Sequence, residues 1–330
     1  MSDDPLPLAV GDDGDPVRDV QRRLRRVGFP VPETENGHFG PGTAAALRRF
    51  QADRGLHPDE ACGPQTWSAL VEAGYHIGDR FLYRRTSMLR GEDVAELQER
   101  LGSLGFDAGR VDGIFGPDTG GALEEFQRNC GLTADGICGP DVVAALDRLA
   151  ARQAGPTSVA RVREVERLRG TAGALPGHRM VVGHGGDAGP MAESLARMLR
   201  ESGAEVEVIN HPDGSAHARQ ANEQGAQLYV GLRLVATGEQ TRVAFYAQRN
   251  WESVGGHRLA DLIQETVEEG AVPILIPDVL GMRLPVLRET RMPAVSCELG
   301  PADQVVPVTA ELTRAIADAI VAWMAEPVDG

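Results

Sequence analysis

The chain has 330 residues, 42% of them hydrophobic, and carries 33 Lys and Arg against 48 Asp and Glu, for a formal net charge of −15. That length suits two or three domains with real cores, and the charge disfavours non-specific binding to nucleic acid or to an anionic membrane surface. No apolar run approaches the roughly 18 residues of a membrane span. The acidic start "MSDDPLPLAVGDDGDP" has neither the positive charge nor the apolar stretch of a secretory signal, so a cytoplasmic protein is expected. Four scattered cysteines, Cys62, Cys130, Cys138 and Cys297, form no CxxC pair and read as reduced, mostly buried thiols.

In chain order, the first feature is an internal repeat. "VRDVQRRLRRVGF" from Val17 returns as "VAELQERLGSLGF" from Val94, and "NGHFGPGTAAALRRFQADRGL" returns as "DGIFGPDTGGALEEFQRNCGL". Each copy closes on "CGP" and a further apolar stretch. Each unit reads as three helices. The first has Val17, Val20, Leu24 and Val27, or Val94, Leu97, Leu101 and Leu104, on one face, and Gly28 and Gly105 stand at the C′ position. The second starts at Pro41 or Pro117, with Thr43 or Thr119 just inside, and buries Ala46, Leu47 and Phe50 or their counterparts Ala122, Leu123 and Phe126. "DG.FG" and "CGP" read first as turn chemistry; the alternative is that these turns also shape a ligand groove.

The pattern "LQ..L..LGF … DG.FG..T..AL..FQ...GL..DGICGP" resembles the peptidoglycan-binding domain 1 repeat, present twice. The second copy fits closely; the first departs at "PETENGHFG" and "LHPDEACGP". The resemblance implies binding to peptidoglycan or its precursor fragments. The domains are then 8–74 and 86–149 for the repeats, 150–177 for a connecting helix and linker, and 178–326 for an α/β domain.

From His178 strands and helices alternate: "HRMVVG", "GPMAESLARMLRESG", "AEVEVIN", "SAHARQANEQGA", "QLYVGLRLV", "TRVAFYAQ", "ESVGGHRLADLIQETVEEG", "MPAVSCELG" and a long terminal helix. This predicts an α/β domain with a largely parallel sheet, preceded by two small all-α bundles. In such sheets functional groups gather at the strands' carboxyl ends, where His184, Arg233 and Glu298 all fall.

The segments "VVGHGGDAG", "RQANEQGAQLYVGLRL" and "RLPVLRETRMPAVSCELG" resemble the zinc-dependent N-acetylmuramoyl-L-alanine amidase domain called amidase 3. That family implies a zinc held by His, Glu and a second His, with a further Glu assisting the attacking water. Such a catalytic zinc keeps one open position for the water. His184 matches the first ligand and Glu298 the catalytic Glu. Arg233 stands where the family has its second histidine, and a guanidinium does not ligate zinc. The family's metal-binding Glu would fall near residue 184; Glu193 is the nearest carboxylate, two to three helical turns out of register. Arg233 has two readings: it pairs with Glu298 and fills the metal's place, or it binds an anionic ligand such as a phosphate or carboxylate. His211 and His217 are candidate substitute ligands, though each reads first as a solvated histidine. His38, His57, His76, His178 and His257 read as structural or solvent-facing.

Two such repeats before an amidase-like domain that carries arginine at a zinc position resemble the actinobacterial CwlM-type proteins, as does the connector "VREVERLRG". This implies a cytoplasmic regulator of peptidoglycan synthesis acting through a protein partner, with control by Ser/Thr phosphorylation. Keeping His184 and ending at Gly330 soon after the last predicted helix both depart from that pattern, and the second weakens the expectation of phosphorylation. On this reading no cofactor is expected; the competing reading is an active zinc amidase that hydrolyses the bond between N-acetylmuramic acid and L-alanine.

Overall fold

The computed structural model describes residues 6–150, 159–235, 241–248, 251–270, 272–274 and 276–328. The chain divides into two compact units, residues 1–162 and 163–330.

The first unit holds two three-helix bundles: α1 (Asp15–Arg26), α2 (Pro41–Asp53) and α3 (Pro64–Glu72), then α4 (Glu92–Ser103), α5 (Pro117–Asn129) and α6 (Pro140–Ala150). The first helix of each ends as its glycine dictates: Gly28 and Gly105 sit at φ 89° and 93°. Beyond them the Phe29 N–H donates to the Leu24 carbonyl at 2.8 Å and the Phe106 N–H to the Leu101 carbonyl at 3.0 Å. These are the six-to-one bonds of a Schellman stop. They aim Phe29 at Phe50 and Phe106 at Phe126, edge-to-face, with centroids 5.5 Å apart in each bundle.

Buried glutamines explain the "VQ" or "LQ" and the "FQ" of the two repeats. Gln98 Nε2 donates to Asp112 Oδ1, the Ile114 carbonyl and Thr119 Oγ1 at 2.9–3.1 Å. Its Oε1 accepts from the Asp112 and Gly113 N–H groups at 3.1 and 2.9 Å. Gln21 does the same for the loop of Gly37, His38 and Thr43. Gln51 and Gln127 clamp the turns that lead to Cys62 and Cys138. An unmet buried amide costs on the order of 1–3 kcal/mol, so each glutamine stabilises a turn that has no ladder of its own. "DG.FG" and the stretch before "CGP" are thus turns held by these glutamines. Leu82 is fully buried and exchanges two backbone hydrogen bonds with Cys138, as Leu8 does with Cys62, so the second bundle packs chain that precedes residue 86.

Helix α7 (Val159–Thr171) runs across the division, and the second unit continues with β1 (Arg179–His184), α8 (Gly189–Glu201), β2 (Glu205–Asn210), α9 (Gly214–Glu223), β3 (Leu228–Leu234) and β4 (Arg242–Gln248). It continues with β5 (Trp251–Glu252), α10 (Val254–Glu269), β6 (Asp278–Met282), α11 (Pro285–Glu289), β7 (Ala294–Leu299), α12 (Ala302–Val305) and α13 (Thr309–Ala325). Residues 151–158 of the expected linker lie outside the described residues.

The strands form one sheet in the order β2-β1-β3-β7-β4-β5, with β6 also on β4. β2, β1, β3 and β7 are mutually parallel, while β4 runs antiparallel to β7 and β5 and parallel to β6. Met180, Val182, Leu228, Val230, Leu232, Val295, Cys297 and Leu299 pack with α8, α10 and α13 in one core, which Leu168 of α7 joins. β1, β3 and β7 are central strands with both faces covered, hence their unbroken apolar runs. β6 and α11 carry no expectation from the sequence reading: five residues each are too few for a period to declare itself.

Candidate functional site at the strand ends

His184, Arg233 and Glu298 reach the carboxyl edge of three adjacent parallel strands, and the register decides who meets whom. Arg233 lies opposite Glu298, whereas His184 lies opposite Leu232. Side chains alternate across a strand, so Arg233 and Glu298 share the face that carries Tyr229, and His184 shares the face of Val182 and Leu232. The antiparallel β4 then brings Arg242 opposite Glu298 from the other side.

Glu298 is 5% exposed. Its Oε1 is 3.3 Å from Arg233 Nη1 and its Oε2 is 3.4 Å from Arg242 Nε. A carboxylate so buried needs cations beside it, and both flanking strands supply one. Arg242 is the better buried, at 19% side-chain exposure against 60% for Arg233. Most of the compensation therefore comes from Arg242, and solvent screens the share of Arg233. The sequence reading anticipates the Arg233 contact. It misses Arg242, which only the antiparallel placement of β4 brings to Glu298.

The histidines converge without forming a ligand set. His184 is buried, and its Nδ1 accepts from the Gly186 N–H at 3.0 Å. The His184 carbonyl accepts from the His211 N–H at 3.1 Å, and His211 Nδ1 accepts from the Asp213 N–H at 3.0 Å. His217 is buried rather than solvated, which corrects the sequence reading. Its Nε2 lies 2.7 Å from the His211 carbonyl, and its Nδ1 lies 2.7 Å from the Tyr229 hydroxyl. A carbonyl only accepts, so Nε2 carries the hydrogen and Nδ1 accepts from Tyr229. Burial pushes the His217 pKa down, with the neighbouring His211 and His184 adding to the effect, and burial pushes the Tyr229 phenol up. Both partners are neutral across the physiological range.

These groups line a cavity of about 350 Å³ that includes His184, His211, His217, Tyr229, Arg233 and Ser296. Its floor exists because Gly183 and Gly231 are paired across β1 and β3. A Cβ on Gly183 would strike the Tyr229 hydroxyl and His217 Nδ1, and one on Gly231 would come within 3.2 Å of the Tyr229 ring.

The donor chemistry does not fit a catalytic zinc. Arg233, which the amidase resemblance sets opposite a histidine ligand, is a guanidinium and does not ligate zinc. Both ring nitrogens of His217 are engaged. Glu193 is exposed on α8, whose buried face is Met191, Ala192, Leu195, Ala196 and Leu199. Among the described residues, no three His, Cys, Asp or Glu side chains come together as a metal-holding group. Three of the cysteines are equally unsuited to such a role, because burial raises the thiols of Cys62, Cys138 and Cys297 to about 12; Cys130 is exposed.

Comparison with known proteins agrees with this layout. A model of the putative peptidoglycan binding domain matches residues 13–70 and 90–146. The chain is 34% identical to the N-acetylmuramoyl-L-alanine amidase CwlM of Mycobacterium tuberculosis, across 96% of this chain and 88% of that protein. It is 31% identical to the N-acetylmuramoyl-L-alanine amidase CwlL of Bacillus licheniformis, across 43% of this chain and 45% of that protein. Among solved structures, the N-acetylmuramoyl-L-alanine amidase AmiC2 of Nostoc punctiforme aligns with 45% of this chain and 98% of its own, at 18% identity and a TM-score of 0.37. No helix among the described residues is long and apolar enough to cross a membrane. The repeats bind peptidoglycan, the α/β domain has the amidase fold, and the near full-length match to the mycobacterial protein places this chain in the CwlM family.

Proposed function

We propose that this is a peptidoglycan-binding regulator of peptidoglycan synthesis whose amidase-fold domain no longer hydrolyses the muramoyl–alanine bond. The observation that carries the reading is the Arg233–Glu298–Arg242 cluster. In the amidase resemblance Glu298 is the residue that takes a proton from a zinc-bound water. Here that carboxylate lies between two guanidiniums, with one contact to each of its oxygens. One of those guanidiniums stands in the place of the second zinc ligand, so the substitution that removes the ligand also ties up the base.

The reading places the protein in the cytoplasm, where it senses peptidoglycan precursor fragments through its repeats and acts on a peptidoglycan-synthesis enzyme through its α/β domain. The test is turnover. Purified full-length protein, supplied with zinc and a muramoyl-L-alanyl peptide, releases no stem peptide above buffer, and Glu298→Gln behaves the same. Release that is abolished in both His184→Ala and Glu298→Gln would establish a working amidase instead.

A further inference from the structure

The two repeats share their buried skeleton and differ on one surface. The pairing of Leu8 with Cys62 and of Leu82 with Cys138 sets the residues in correspondence. Around that bridge the second repeat carries Phe81, Tyr83 and Ile137, where the first carries Pro7, Ala9 and Ala61. All three side chains of the second repeat are held out toward solvent, at 59%, 41% and 38% exposure. The bundle does not need them: its core is Leu82, Leu97, Leu101, Phe115, Phe126 and their neighbours.

The difference has a shape. Gly139 opens the "GP" turn of the second repeat, and the Phe81 ring stands over it, so that a Cβ there would lie 2.9 Å from the ring. The matching Gly63 of the first repeat has nothing within 4 Å. Phe81, Tyr83 and Ile137 thereby wall a groove of about 630 Å³, with Thr133, Asp135 and Asp141 along it. This is within the range of small-ligand sites. Asp135 Oδ1 accepts from Gln127 Nε2 and the Ile137 N–H at 2.8 and 2.9 Å. The Ile137 and Gln127 hydrogen bonds hold its pKa below the usual carboxylate range, so the groove carries fixed negative charge.

We infer that this groove of the second repeat, and not its counterpart in the first, is the peptidoglycan-binding site, and that it takes the neutral N-acetylhexosamine glycan rather than the stem peptide. The inference rests on the peptidoglycan-binding assignment of the repeats and adds the residues, the repeat and the part of the polymer. Aromatic faces offer a flat apolar surface to the C–H face of a pyranose ring. Carboxylate and hydroxyl oxygens accept from sugar hydroxyls and the acetamide N–H. The groove's lining residues include two aspartates and no Lys or Arg, so the carboxylates of a stem peptide meet repulsion there, while an uncharged glycan does not.

The experiment uses the full chain. Calorimetric titration with a neutral N-acetylglucosamine tetramer is run beside a free stem peptide, and retention on purified sacculi is measured in parallel. Phe81→Ala and Tyr83→Ala are each expected to weaken tetramer binding about tenfold at unchanged melting temperature, both being exposed. Ala9→Ser, at the matching place in the first repeat, leaves binding as it was. Full tetramer affinity in both aromatic variants overturns the groove assignment. Stem-peptide binding that Phe81→Ala abolishes overturns the glycan assignment. Wild-type protein that neither sacculi nor tetramer holds overturns the peptidoglycan-binding premise itself, whereas wild type and Phe81→Ala held equally by sacculi overturns only the groove.

Discussion

Buried polar groups are treated differently in the two halves of this molecule. In the repeats, the glutamines of the first and second helices find the same turns twice over, from Gln21 and Gln51 to Gln98 and Gln127. In the α/β domain, Glu298 answers to arginines, and His217 to a tyrosine and a carbonyl. The first pattern is what a fold needs in order to exist. The second satisfies burial with side chains from several strands of the sheet.

The sharpest way to break this contrast is to remove a clamp from the repeats. Gln98→Leu removes the side-chain acceptor of the Asp112 and Gly113 N–H groups and one of the two donors to the Ile114 carbonyl, which keeps the Gly116 N–H. It is expected to cost about 2–4 kcal/mol and to unfold the second bundle first, as hydrogen exchange would show. A loss below about 0.5 kcal/mol would mean that the clamp is incidental. A smaller effect is expected from Gly183→Ala. Its Cβ meets the Tyr229–His217 pair, and overpacking of this kind costs about 1–3 kcal/mol. The melting temperature of the α/β domain should fall while that of the repeats stays. An unchanged domain would show that the pair is not close-packed against β1.

How much of this the sequence discloses depends on distance along the chain. The repeat helices, their glycine stops and the turn role of "DG.FG" are local and are duplicated, so they can be read directly. The strands and helices around the site are legible too, and with them the arrival of His184, Arg233 and Glu298 at one sheet edge. Arg242 is not, because a strand's direction in the sheet is a tertiary fact and β4 alone does not announce that it runs against β7. The burial of His217 escapes for the same reason: its partners are Tyr229 on another element and a carbonyl across a loop. The groove walls Phe81 and Tyr83 fall between the two expected domains, in an alternating "FLY" whose middle residue alone is core.

The claim that the amidase fold has lost its metal chemistry meets its most direct test in zinc stoichiometry. Full-length protein and Arg233→His are equilibrated with zinc, freed of excess and measured by elemental mass spectrometry. Wild type is expected to retain far less than one zinc per chain. Arg233→His should remain below one as well, since Glu193 faces solvent and His217 keeps both nitrogens engaged. One tightly held zinc per wild-type chain, lost in His184→Ala, would contradict it.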